Sequence, residues 1–165
     1  MWFAIILSIL FAYAIWHAME GINQTARLSK YLGDRFKGGK IHILKGNFDY
    51  SYAVVDHDES CVVIGSWAGA NEYVEEKYEA SEIISANVRR DGQIGEAAAL
   101  QAGGVREICI FMKVRDKDNP VQYIPFLKSE KEVDPCQPEV LNALKRAEEF
   151  TACIEMMYDG SKASV

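Results

Sequence analysis

The chain has 165 residues, a length typical of one domain or of one domain with an appendage. Its composition, 49% hydrophobic and 25% charged, is that of a globular protein and excludes a disordered or collagen-like chain. The net charge of −6 argues against a general nucleic-acid binder, which is normally basic. This charge is unevenly distributed, because no Lys or Arg precedes Arg27.

The N-terminal run over residues 2–19 predicts a transmembrane helix. Ser8 and His17 are its only clearly polar members, and as a helix it would be about 27 Å long, close to the thickness of a bilayer core. A cleaved signal peptide is the alternative, favoured by Ala12 and Ala14 but opposed by the lack of a basic start. The predicted membrane-contacting residues are Trp2, Phe3, Ile5, Ile6, Leu7, Ile9, Leu10, Phe11, Ile15 and Trp16.

A basic segment follows this run. Residues 21–45 carry a net charge of +5, whereas residues 46–165 carry −10. The positive-inside rule therefore predicts a single-pass protein of a bacterial inner membrane with a cytoplasmic C-terminal domain. The segment either only sets this topology or also holds the domain at the surface through anionic headgroups. The predicted headgroup contacts are Arg27, Lys30, Arg35, Lys37 and Lys40.

Three small residues share one face of the predicted anchor helix. Ala4, Ser8 and Ala12 are spaced four apart, which allows a second helix to approach closely and predicts a homodimer. The alternative is that such residues are simply common in membrane helices. The predicted domains are an anchor over residues 1–20, a basic juxtamembrane segment over 21–39 and a cytoplasmic domain over 40–165.

The cysteines and histidines predict neither disulfides nor a metal site. Cys61 and Cys109 fall in strand-like runs. Cys136 and Cys153 flank or lie on one predicted helix, about 25 Å apart at helical rise and thus beyond disulfide reach. Reduced thiols that act as small apolar residues fit a cytoplasmic domain. Because neither residue type forms the close pairs of a zinc site, we predict no cofactor.

The rest of the chain predicts strands followed by one helix. The glycine-containing stretch 92–104 matches neither a phosphate loop nor a dinucleotide fingerprint, and we interpret it as an insertion. An acidic turn, Asp56–Ser60, predicts a hairpin, and Pro125 predicts a sheet edge or a bulge. An apolar stripe predicts an amphipathic helix over 139–158. The predicted strands are 40–45, 48–56, 61–67, 76–80, 83–91, 105–115 and 121–127.

Four segments carry a family resemblance: FDYSYAVVDHDESCVVIG, SEIISANVRRDG, VREICIFMKVRDKDNPVQYIPFL and EVLNALKRAEEFTACIEMM. In this order they resemble bacterial pleckstrin-homology-like (PH-like, GRAM-like) domains, and more closely a group of small bacterial and prophage proteins. The resemblance implies an α+β fold, in which a transmembrane helix precedes an antiparallel PH-like β-barrel or curved sheet closed by a C-terminal amphipathic helix. Lipid-binding PH domains use a basic pocket, and the acidic turn Asp56–Ser60 departs from that pattern.

No nucleophile with its base, carboxylate pair or ligand set occurs at a recognisable spacing, so we predict that the protein is not an enzyme. We predict instead a tethered binding or scaffold module for a membrane-protein partner. One alternative is a prophage superinfection-exclusion protein that blocks phage DNA entry, and another is an anionic-lipid-sensing regulator. The predicted partners are the lipid bilayer, an unknown membrane protein and a second copy of the chain, with no nucleic acid.

Overall fold

The computed structural model of the chain describes residues 2–46, 49–67, 73–91, 93–94 and 104–162. The chain divides into two compact units, Met1–Lys37 and Gly38–Val165. The first unit is built on helix α1 (Trp2–Arg35). A turn follows the helix, and Gly38 adopts a φ of 86°, which a residue without a Cβ reaches at little cost.

The prediction of a membrane anchor is contradicted by the structure of helix α1. Within the part of the chain that the structure describes, no helix is both long enough and apolar enough to cross a membrane. The predictions of a transmembrane helix and of a single-pass inner-membrane protein with a cytoplasmic domain are therefore wrong.

The second unit begins with sheet A, whose four antiparallel strands lie in the order β1-β2-β3-β4. These strands are β1 (Lys40–Lys45), β2 (Tyr50–Asp56), β3 (Cys61–Trp67) and β4 (Tyr73–Glu79). The acidic turn joins β2 to β3 as predicted. Oδ1 of Asp56 accepts hydrogen bonds from the backbone N–H groups of Asp58 and Glu59, at 3.0 and 3.2 Å, so its carboxylate stabilises the turn.

A 3₁₀ turn over Ala80–Glu82 leads into sheet B. Its strands are β5 (Ile83–Arg90), β6 (Gln93–Ile94), β7 (Val105–Val114) and β8 (Val121–Val133), antiparallel in the order β6-β5-β7-β8. Pro125 lies on β8 beside a register shift, because Ile108 pairs with Leu127 whereas Cys109 pairs with Pro125. This edge position and bulge confirm the prediction for the proline. Most of the predicted insertion, residues 95–103, lies outside the described residues.

Helix α2 (Pro138–Lys162) packs against β5, β7 and β8. Its predicted apolar stripe is confirmed, since one face is buried in the core that both sheets share. Within this core the ring centres of Phe126 and Phe150 lie 5.7 Å apart in an edge-to-face arrangement. The buried residues of the stripe are Val140, Ala143, Ala147, Phe150, Thr151, Ile154 and Met157.

The overall class is α+β, but the prediction of a transmembrane helix followed by one PH-like β-barrel or curved sheet is wrong. Among the described residues the strands form two separate four-stranded sheets with no ladder that joins them. Pro125 is part of the reason why no ladder joins the sheets where β1 approaches β8. Its backbone has no N–H to donate, and its carbonyl oxygen accepts a hydrogen bond from the His42 side chain. A side-chain hydrogen bond therefore links the sheets at this point.

Candidate functional site

The residues predicted to contact a membrane or a second helix lie along α1. Those whose side chains the structure describes are exposed: Ile6, Leu7, Ser8, Ile9, Leu10, Phe11, Ala12, Ile15 and Trp16. The side chains of Trp2, Phe3, Ala4 and Ile5 lie outside the described part of the chain. The close helix contact through the small residues stays a prediction.

The five predicted headgroup contacts are divided between the two units. They are Arg27, Lys30 and Arg35 in α1, Lys37 in the turn after it and Lys40 at the start of β1. Arg35 donates a hydrogen bond of 3.1 Å to the Tyr31 hydroxyl, and its guanidinium carbon lies 4.8 Å from the centre of the Phe36 ring. Lys40 Nζ lies 3.3 Å from Glu149 Oε2. At least two of the five therefore have partners within the protein.

A cleft of about 230 Å³ opens between sheet A and strand β8. Successive residues of a strand point to opposite faces, so alternate residues of sheet A reach the same side. Side chains from all four strands of sheet A meet three consecutive residues of β8 there. The residues that line the cleft are His42, Ser51, Tyr52, Ile64, Gly65, Ser66, Val74, Glu76, Tyr123, Ile124 and Pro125.

One end of the cleft is formed by the buried imidazole of His42. Its Nε2 lies 2.8 Å from the carbonyl oxygen of Pro125, and because a carbonyl only accepts, Nε2 carries the hydrogen. The ring stacks on Phe126, with ring centres 3.7 Å apart and planes 10° apart. Burial lowers the pKa of His42 to about 4; the nearby positive charge of Arg146 lowers it further, and the bond to Pro125 opposes the shift. The ring is therefore neutral at pH 7.

The other end of the cleft carries the negative charge of Glu76. Glu76 is the only charged residue among the described residues that line the cleft. The Tyr78 hydroxyl donates a hydrogen bond to its carboxylate. The pKa of Tyr78 is raised, first by burial and then by this bond, so the phenol keeps its proton and goes on donating. The carboxylate is thereby held beside the apolar Val74 of the same strand.

The packing of Tyr52 on strand β2 across strand β3 requires a glycine at position 65. Tyr52 and Gly65 are direct cross-strand partners, and the Tyr52 ring crosses the space that a Cβ at position 65 would occupy. The Tyr52 hydroxyl then reaches the carboxylate of Glu75 on β4. Three neighbouring strands are thus tied together on the opposite face of sheet A from Glu76.

Neither a family model, nor a curated protein, nor a solved structure matches the chain. The resemblance to PH-like domains therefore stays a prediction, and the argument about function depends on the cleft alone. Sequence reasoning missed this cleft, because its lining residues come from five strands that are far apart in the chain. The sequence contained only a weak signal for the cleft. Ser51 and Ser66 place hydroxyls on the face of sheet A that also carries the apolar Ala53 and Val55.

The environment of His42 limits the chemistry that this side chain offers in the cleft. Among the described lining residues His42 is the one with an imidazole, and its Nε2 hydrogen is held by Pro125, so that nitrogen cannot accept a proton from a serine. Its low pKa also makes it a weak base at pH 7. Within the described ranges, no group of three or more His, Cys, Asp or Glu side chains could hold a metal ion. The described lining is otherwise mostly apolar, with serine and tyrosine hydroxyls and the carboxylate of Glu76.

Proposed function

We propose that residues 38–165 form a binding module, not an enzyme, and that its cleft takes a small, mainly apolar organic molecule. One observation carries this proposal: a concave site between two sheets, lined mostly by apolar atoms with a few polar groups, is the usual form of a ligand pocket. Its volume of about 230 Å³ is below the roughly 300–1,000 Å³ of drug-sized sites, which favours a ligand about as large as one substituted ring.

The proposal retains the binding role that the sequence predicts, but it does not place the protein at a membrane. The scaffold, superinfection-exclusion and lipid-sensing interpretations all placed the domain at an inner membrane, and that location is wrong for the described helices. The cleft is a site of a different kind, since the one charged residue among its described lining residues, Glu76, is acidic. Binding in the cleft therefore requires neither the basic segment nor an anionic surface.

Benzyl alcohol is a suitable probe, because it combines one ring with one hydroxyl. We expect it to bind the full-length protein with a Kd on the order of 1 mM, the affinity usual for a ligand of this size. In a two-dimensional NMR titration the amide signals of Ser51, Ile64, Ser66 and Ile124 are expected to move together. Signals that do not move, or that move evenly over the whole surface, contradict the proposal.

A filled cleft provides the control. Ser66→Leu adds an apolar side chain to the lining and is expected to abolish the shifts at Ser51 and Ile124. Ser85→Leu is the matched variant, because Ser85 is also half-buried in a strand but does not line the cleft. Equal binding by the Ser66→Leu variant would place the ligand elsewhere and overturn the proposal.

A further inference from the structure

We infer that the cleft selects a small amphiphilic amine, with its apolar body between the sheets and its ammonium group beside Glu76. This inference rests on the proposed function and adds the charge of the ligand to it. A carboxylate at the mouth of an apolar cleft attracts a cation and repels an anion, and Glu76 is the only charged residue among the described lining residues.

Hydrogen bonding holds this carboxylate in place without neutralising it. Oε2 of Glu76 accepts from the Tyr78 hydroxyl, and an ionised carboxylate offers about four acceptor positions, so capacity remains for a ligand N–H group. Tyr78 itself is buried in the core, which limits the movement of the group that donates. The acceptor is therefore ordered before a ligand arrives, which lowers the cost of binding.

The remaining polar groups of the cleft do not oppose a cation. The hydroxyls of Ser51 and Ser66 are neutral, and both hydroxyls can accept as well as donate. The His42 imidazole is neutral at pH 7 and lies against Phe126 at the opposite end. No lining residue among those described offers a positive charge to a carboxylate or phosphate ligand. An anionic ligand would thus lose its hydration without an ionic partner.

An aromatic ring on the β8 side adds to the preference. Tyr123 lines the cleft, is exposed, and meets Phe111 edge to face with ring centres 5.2 Å apart. Phe111 itself already contacts a cation, because the Arg89 guanidinium carbon lies 3.5 Å from the centre of its ring. An exposed tyrosine face beside an apolar cleft attracts ammonium groups in the same way.

Three probes of equal size and different charge test the inference: benzylamine, benzyl alcohol and benzoate. We expect benzylamine to bind the full-length protein about tenfold more tightly than benzoate at pH 7, because the first forms an exposed ion pair with Glu76 and the second an exposed like-charge contact; this ratio corresponds to about 1.4 kcal/mol. Benzyl alcohol is expected to lie between them. The Kd values come from NMR titrations that follow the amide signals of Ser51 and Ser66.

Glu76→Gln is expected to bring the three affinities within about twofold of one another, because it removes the charge and keeps the shape. Glu75→Gln is the matched control: it neutralises the neighbouring carboxylate, on the opposite face, and is expected to leave the tenfold ratio in place. Equal binding of all three probes by the unmodified protein overturns the inference but leaves the proposed function standing. Tighter binding of benzoate also overturns it, and no binding of any probe overturns the proposed function as well.

Discussion

Acidification is expected to destabilise the protein through His42. An unfolded histidine binds a proton with a pKa near 6.5, whereas burial lowers the pKa of the folded residue to about 4. Between these values the unfolded chain binds the additional proton, so its stability relative to the folded state increases as the pH falls. The stabilisation of the folded state that comes from the lowered pKa of His42 is complete above pH 6.5 and is lost as the pH drops toward 4.

The magnitude follows from the size of the shift. Each pKa unit corresponds to about 1.4 kcal/mol, so lowering the pKa of His42 from 6.5 to about 4 implies a loss of about 3 kcal/mol between pH 7 and pH 4. That is a large part of the 5–15 kcal/mol by which domains are typically stable. Carboxylates that titrate over the same range add their own pH dependence, so a comparison with a variant is needed.

His42→Gln supplies this comparison, because a glutamine amide can still donate to the Pro125 carbonyl and does not titrate. Urea unfolding followed by circular dichroism at several pH values between 7 and 4 gives the free energy of unfolding for both proteins. The difference between them is expected to change by about 3 kcal/mol over this range. Parallel curves, or an imidazole that titrates near 6.5 by NMR in the folded protein, would refute the reasoning.

Three further predictions concern packing and reactivity. Gly65→Ala is expected to cost about 1–3 kcal/mol in urea unfolding, since the new Cβ overlaps the Tyr52 ring. Phe150→Ala, which empties a fully buried position, is expected to cost about 3–5 kcal/mol by the same measurement. In the folded protein a thiol reagent is expected to modify the exposed Cys136 rapidly. Cys109 is expected to react only on unfolding, because it is buried and burial raises its pKa to about 11.

Each of these predictions has a contrary result. Unchanged stability of the Gly65→Ala variant would show that Tyr52 does not cross the glycine. A cost below about 1 kcal/mol for Phe150→Ala would show that the site collapses around the shorter side chain. Peptide mapping that finds Cys109 labelled as fast as Cys136 in the folded protein would contradict the burial of that strand.

Local patterns predicted those elements whose own residues determine them. β3 begins at Cys61 and ends at Trp67 as expected, because a turn precedes it and its apolar run is buried on both faces. β8 was predicted to end at Leu127 but extends to Val133, through polar residues that carry no strand pattern of their own. Its last residue pairs with Val105, so this extension depends on tertiary pairing.

The cleft could not be predicted for the same reason. It requires the His42–Pro125 contact, which joins residues 83 positions apart, together with the register that sets Ser51 opposite Ser66. Neither is encoded by a short motif. The membrane anchor was predicted from the average hydropathy of residues 2–19, whereas no helix in the part of the chain that the structure describes is long and apolar enough to cross a membrane.

The position of β4 has a consequence for self-association. In the described part of sheet A it is an edge strand, and an edge exposes unpaired N–H and C=O groups that can recruit a strand from another molecule. β4 carries three glutamates and one lysine among its seven residues, so two such edges repel each other on approach. The charge of Glu76 therefore also protects against polymerisation, and substitutions that neutralise this strand are expected to promote fibre formation.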